Sequence, residues 1–393
     1  MISELNQTPK ALRLHIGVFG DTNAGKSTFI NAVTGHETAL TSPVAGTTTD
    51  PVFKPMELLP LGPVVFIDTA GLDDKSELGE IRINKSIEQL AVCNAAIIVV
   101  NSESYDKKRT KEYIRLINDK KIPFMIVVNE KNTVHLDTDF KGIPTVHADL
   151  HNKSDTEKIR SAIIALLDKN ETDPPLTSDL VNSGDVVLLV MPQDIQAPKG
   201  RLIMPQVQTI RDLLDNRCSV ISVTADNIES MLSNLKKPPS LVITDSQVFK
   251  TVNEIIPENV RLTSFSVLMA KIKGDIKAFI NGAKALDTLQ DGDKVLILES
   301  CAHHALDDDI ARKKIPNLIR KYTGKKLTID NVSGQNINIS ISDYKLAVHC
   351  GGCMLNRKAM INRQLDFERA GVPLTNFGIC IAHINGILKR IIY

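Results

Sequence analysis

From Leu14 onward the chain alternates short β-branched apolar runs with stretches of helical periodicity. LHIGVF (14–19), VVFID (64–68), AAIIVV (95–100) and FMIVVN (124–129) are apolar along their length rather than at every second position, which predicts strands buried on both faces. Helices are expected from Lys26 and over 158–167. Strand and helix in this alternation build a parallel α/β sheet. The polar stretch KNETDPPLTSD, with Pro174 and Pro175, reads as a linker. A second series follows, with strands VVLLVM (186–191), SVISV (219–223) and SLVIT (240–244) and helices over 206–214 and 228–235. A third contains KVLIL (294–298), KLAVH (345–349) and helices over 311–322 and from about Leu355. The pattern therefore predicts an α/β protein of three domains, 1–172, 177–262 and 263–393.

Composition narrows the function classes. With 42% apolar and 24% charged residues, the 393-residue chain can build real cores. Basic and acidic side chains number 47 and 46, aromatics are 4% and Trp is absent, so nothing marks a nucleic-acid surface. No apolar run nears the roughly 18 residues of a membrane span, and MISELNQTPK lacks the charged-then-apolar order of a secretion signal, so a cytoplasmic protein is expected. Six cysteines are too few for a disulfide scaffold. Cys93, Cys218 and Cys380 lie in apolar runs and read as small buried hydrophobes. Cys301, Cys350 and Cys353 stand beside histidines, which points to metal or redox chemistry.

Gly20-Asp-Thr-Asn-Ala-Gly25-Lys26-Ser27 fits G-x-x-x-x-G-K-[ST] and lies between a strand and a helix, the context this phosphate loop needs. Its glycines let backbone N–H groups curl around an anion, and the helix N-terminus adds its dipole. Lys26 is expected on the β- and γ-phosphates and Ser27 on Mg²⁺, with Ala24, Gly25 and Thr28 completing the loop and first turn. Asp68-Thr-Ala-Gly71 supplies an acid for the metal and a glycine amide for the γ-phosphate.

With Ala45-Gly-Thr-Thr-Thr-Asp50 between these motifs, the spacing resembles the TrmE-Era-EngA class of GTPases. The resemblance implies that Thr48 binds Mg²⁺ and that Asn23 holds K⁺ in place of an arginine finger; alternatively, Asn23 is simply a turn former tolerant of left-handed backbone. Leu72 stands where Ras-like proteins carry the water-orienting Gln, which leaves Glu77 and Glu80 as candidates to position the water.

The base-reading motif departs from that class, with Asn129-Glu130-Lys131-Asn132 where N-K-x-D is expected. An Asp accepts two N–H bonds from guanine, whereas the Asn132 amide offers one acceptor and one donor. The lost bond is worth about 1–3 kcal/mol, which loosens guanine selectivity roughly ten- to a hundred-fold. Ala148, in His147-Ala148-Asp149, is expected to provide the loop amide for the guanine carbonyl.

Cys301-Ala-His303 follows one strand and His349-Cys350-Gly-Gly-Cys353 another. Two parallel strands ending side by side would gather these groups at the sheet edge where α/β folds place ligands. Spacing alone leaves three readings open: an iron–sulfur cluster, a zinc site, or a Cys350–Cys353 redox dithiol. His303 and His349 are candidates for a fourth cluster ligand, ahead of His304.

The whole chain resembles the HydF family of FeFe-hydrogenase maturation GTPases, through VAGTTTDPV (44–52), MPQDIQAPKGRLIMPQVQTIRDLLD (191–215) and the C-x-H and H-C-x-x-C pair followed by MLNRKAMI. The resemblance implies a GTPase, a dimerisation domain giving a homodimer, and a domain with a 4Fe-4S cluster on Cys301, Cys350 and Cys353. It further implies a scaffold or carrier that receives a transient di-iron precursor of the hydrogenase site. The implied partners are two radical-SAM maturases and the apo FeFe-hydrogenase. Two other function classes compete: a K⁺-stimulated GTPase of RNA modification or ribosome assembly with a zinc module, and a dithiol oxidoreductase.

Overall fold

The computed structural model describes residues 13–35, 52–73, 79–130, 140–168, 174–192, 202–300, 310–334, 339–352 and 355–393. They fall into two compact units, 1–172 and 173–393.

In the N-terminal unit the buried runs become β1 (Leu14–Phe19), β3 (Gly62–Asp68), β4 (Ala95–Asn101) and β5 (Phe124–Asn129), joined by β2 (Val52–Leu58) and β6 (Thr145–Ala148). The strand order is β2-β3-β1-β4-β5-β6, parallel except for the β2–β3 pair. Helices α1 (Lys26–Thr34), α2 (Gly79–Leu90), α3 (Lys107–Asp119) and α4 (Lys153–Asp168) complete the unit. One face of the sheet packs Ile16, Val18, Phe66, Ile97 and Val127 with Phe29 and Ile30 of α1 and Ile159 and Ile163 of α4. The other packs Ile67, Ile98, Ile126 and Val128 with Tyr113 and Ile117 of α3. Each such side chain contributes about 1.5–3 kcal/mol when fully buried, which explains why these strands read as unbroken apolar runs.

The C-terminal unit carries two four-stranded parallel sheets. The first has β7 (Val186–Val190), β8 (Ser219–Val223), β9 (Leu241–Thr244) and β10 (Arg261–Ser264) in the order β10-β9-β7-β8. Its helices are α5 (Met204–Asp215), α6 (Ile228–Asn234), α7 (Phe249–Ile255) and α8 (Phe265–Lys273). The second sheet follows α9 (Ile276–Ala283) and has β11 (Lys294–Glu299), β12 (Thr328–Ser333), β13 (Leu346–His349) and β14 (Leu374–Asn376) in the order β12-β11-β13-β14. It is flanked by α10 (Ile315–Thr323), α11 (Arg357–Arg369) and α12 (Phe377–Ile384). Leu188, Val242 and Leu262 of one sheet share a single core with Leu296, Leu298 and Ala347 of the other.

The outer edges of the first sheet differ. Beyond β10 the C-terminal residues add a parallel bridge between Leu262 and Ile391, and the Ile392 N–H donates to Leu262 O (3.1 Å). Arg390 anchors that tail on the carbonyls of Asn253, Ile256 and Pro257 (2.7–2.9 Å). At the opposite edge β8 has β7 on one side and, among the described residues, no strand on the other. Beside it, α5 divides its apolar side chains between core and surface. Leu213 is buried, whereas Val207 and Leu214, two turns apart, are each half exposed.

Candidate functional site

α1 opens directly on the phosphate loop. Gly25 sits at φ +100° and opens α1 with no side-chain cap among the described residues, the geometry in which a helix N-terminus faces an anion. Asn23 is also left-handed, at φ +63°, a geometry Asn tolerates, and its residue is exposed. Ala24 is buried in the core and Thr28 half-buried on α1. Lys26 is nearly buried, its Nζ donating to Gly20 O (2.9 Å) and Asp21 O (2.8 Å), so the ammonium lies within the curve of the loop. Ser27 Oγ donates to Asp68 Oδ2 (2.9 Å), bringing together the hydroxyl and the carboxylate that a Mg²⁺ ion needs. Burial pushes the Asp68 carboxyl above its usual range against the pull of Ser27 and Lys26, a charge deficit that a bound cation would supply.

Gly71 packs so tightly on the loop that an added methyl would come within 2.7 Å of the Thr22 nitrogen and 3.0 Å of the Asp21 carbonyl carbon. Only glycine fits this approach, which brings the Asp68-Thr-Ala-Gly motif against the Gly20-to-Ser27 loop. Thr48 and Glu77 lie outside the described residues; Glu80 falls in α2, where its side chain is not described.

On the base side, Asn129 Nδ2 donates to Ala24 O at 3.4 Å, tying the end of β5 to the phosphate loop. Its Oδ1 is buried without a partner among the described residues, an acceptor still to be satisfied and consistent with a nucleotide beside it. The Glu130 N–H donates to Ala148 O (2.9 Å), so the Asn129-Glu130 corner and Ala148 lie together as a base site requires. Glu130 itself pairs with His147, Oε1 to Nδ1 at 2.6 Å. Asn132 lies outside the described residues.

In the C-terminal unit β11 and β13 are parallel neighbours, with Leu298 opposite His349. Their ends meet: the Cys350 N–H donates to Leu298 O (2.8 Å), and Ser300 directs its N–H (3.3 Å) and hydroxyl (3.4 Å) at Cys350 Sγ. Burial opposes ionisation of Cys350, whereas the Ser300 hydroxyl and the Gly352 amide stabilise the thiolate. That is the donor chemistry of a metal-binding thiolate. His349 is fully buried, its Nδ1 on Cys350 O (2.6 Å) and its Nε2 on Arg363 Nη1 (2.7 Å). Arg363 only donates, so Nε2 accepts and the ring is the neutral Nδ1–H tautomer. Both ring nitrogens are thereby engaged. Cys301, His303, His304 and Cys353 lie outside the described residues, and among those described no group of three metal-ligating side chains converges. Cys93, Cys218 and Cys380 are buried, with burial pushing Cys93 and Cys380 up to about 12, so these three are packing residues as expected.

Several site residues escape sequence reasoning. Ser300 and Arg363 at the cysteine site, and Asp73, Ser86, Arg109 and Tyr113 around Gly71, belong to no motif. Asp73, two positions after Gly71, alone carries a hint in its spacing.

Comparison with known proteins bears on both units. Residues 15–130 match the family described as a 50S ribosome-binding GTPase. Residues 176–274 match the hydrogen maturase F dimerization domain, and residues 277–393 the hydrogen maturase F tetramerization domain. GTPase Der of Nitratidesulfovibrio vulgaris is 32% identical over 125 residues, 31% of this chain and 25% of that protein. The tRNA modification GTPase MnmE of Legionella pneumophila is 34% identical over 125 residues, 31% of this chain and 28% of that protein. The chain thus spans about a quarter of the length of these relatives. No described helix is long and apolar enough to cross a membrane. A GTPase domain followed by two maturase-specific domains covering more than half of the residues identifies the family: the chain belongs to the hydrogen maturase F, or HydF, family.

Proposed function

We propose that the chain is a GTP-hydrolysing scaffold of FeFe-hydrogenase maturation. It carries a 4Fe-4S cluster on Cys301, Cys350 and Cys353, receives a di-iron precursor made by two radical-SAM maturases, and delivers it to the apo-hydrogenase in the cytoplasm. The observation that supports this reading most is the meeting of the β11 and β13 ends, where Ser300, the residue before Cys301, bonds the sulfur of Cys350. In this reading the three cysteines hold the cluster, which supplies an iron edge for a second metal fragment. Because His349 is held by Cys350 O and Arg363, His303 is favoured over it, and over His304, as the fourth ligand. Anaerobically purified protein should be brown and contain iron and sulfide. Colourless protein with zinc would favour a GTPase of RNA modification or ribosome assembly with a zinc module instead.

At the nucleotide site Lys26 and the Gly71 amide contact the γ-phosphate, Ser27, Thr48 and Asp68 hold Mg²⁺, and Asn23 holds K⁺ at the β–γ bridge. Asn129, Asn132 and Ala148 face the base, and Glu77 or Glu80 orients the water. Hydrolysis should be slow and several-fold faster in K⁺ than in Na⁺, since Leu72 has no water-orienting amide. Equal rates of phosphate release in the two salts would remove Asn23 from the cation role.

The homodimer forms through β8, whose outer edge offers unpaired backbone groups next to the exposed Val207 and Leu214. The Ser219 N–H donates inward to Asp185 O (2.8 Å), so by alternation the Ser222 N–H points outward. Ser222→Pro therefore removes an outward donor without touching the ladder to β7. It should shift sedimentation from a dimer toward the 43.2 kDa chain, with the circular dichroism spectrum unchanged. A variant that still sediments as a dimer would place the interface elsewhere.

A further inference from the structure

We propose that Asp73 sets the preference of the nucleotide site between GTP and GDP: its carboxylate is docked on the rim of the phosphate loop and must be displaced when a γ-phosphate arrives. Asp73 Oδ1 accepts from the Thr22 N–H (2.7 Å) and the Thr22 hydroxyl (2.9 Å), inside the segment between Gly20 and Lys26. Its other oxygen pairs with Arg109 Nη1 (3.3 Å). Arg109 comes from the first turn of α3, and its Nε also reaches Asp21 of the loop (3.2 Å) and Asp106, the α3 cap (3.0 Å). One guanidinium thus ties loop, Gly71 segment and helix together. The segment is pinned on its other side, Ala70 N–H donating to Ser86 Oγ (3.0 Å) and Leu72 N–H to Tyr113 Oη (2.7 Å).

Backbone N–H groups of a phosphate loop select anions, and a carboxylate that occupies one of them resembles a phosphate oxygen in both charge and bonding. GDP adds no charge on the Gly71 side of the loop. GTP brings the γ-phosphate there, and its oxygens and the Asp73 carboxylate cannot share the Thr22 rim without repulsion. Thr22 and Arg109 hold Asp73 below the usual carboxylate range despite its burial, so the competing charge is present at neutral pH. Opening costs the protein a charge-assisted bond that only the triphosphate has to break. Arg109 keeps Asp21 and Asp106 as partners when Asp73 leaves, so release of the clasp strands no cation.

This inference rests on the GTP-site reading above. The test is equilibrium titration of the full-length protein with Mg²⁺ and fluorescent GDP or a non-hydrolysable fluorescent GTP analogue. Asp73→Ala should bind the GTP analogue about ten-fold more tightly, with GDP affinity within two-fold of the parent protein. Asp73→Asn keeps the size and an acceptor for Thr22 but loses the charge. It should tighten the analogue by a smaller factor, and it serves should the alanine variant fold poorly. An unchanged ratio of the two affinities, or weaker binding of the analogue, would overturn the clasp. Failure of the parent protein to bind GDP at all would instead overturn the nucleotide reading beneath it.

Discussion

Replacing Lys26 by alanine should lower GTP turnover by about a thousand-fold while leaving the C-terminal unit folded. Removing one preorganised donor from a developing oxyanion costs roughly 10²–10³ in rate, and Lys26 also carries the formal charge that offsets the phosphates. Its position supports the larger figure. The ammonium is already buried within the loop's curve on Gly20 O and Asp21 O, so little reorganisation separates it from a bound phosphate. Phosphate release at saturating GTP is the measurement, with melting of the variant as the control for folding. Turnover within ten-fold of the parent would mean that another cation performs this function.

The second large effect is expected at Cys350. Cys350→Ala should eliminate the visible absorption of the cluster and the ability to activate apo-hydrogenase, while GTP hydrolysis stays within about two-fold. The two units have separate cores, and the sulfur's hydrogen-bond partners Ser300 and Gly352 belong to its own unit. Arg363→Gln should act more mildly on the same site. It leaves His349 Nε2 with a weaker, neutral donor, a loss of about 1 kcal/mol that should loosen the cluster rather than abolish it. Loss of hydrolysis in a well-folded Cys350→Ala protein would show that the two sites are coupled.

Which elements could be read beforehand follows from burial. β1, β3, β4, β5 and β7 are covered on both faces, and continuous apolar runs are what double coverage demands. β2, VFKPMEL, is an antiparallel edge strand containing Pro55 and mostly facing water, so neither apolarity nor alternation marks it. β12, TIDNVS, is likewise a polar edge, and β14 has only three residues. At the nucleotide site the phosphate loop and Asp68-Thr-Ala-Gly71 were legible because phosphate chemistry constrains residue type and spacing together. The Asp73–Thr22 bond was not, because 51 residues separate partners whose types are ordinary on any surface. Arg363 illustrates the same limit: within MINRQLDFER it reads as one solvated charge among several, yet it is nearly buried against a histidine on another element.

The residues laid across β10 limit where the first sheet of the C-terminal unit can be extended. A parallel sheet with two bare margins can add copies at both ends and grow without limit, as fibrils do. Ile391 and Arg390 cover the β10 margin, so among the described strands of this sheet β8 keeps the open edge for the proposed pairing. Residues far in sequence from β8 thus confine extension of this one sheet to its β8 edge.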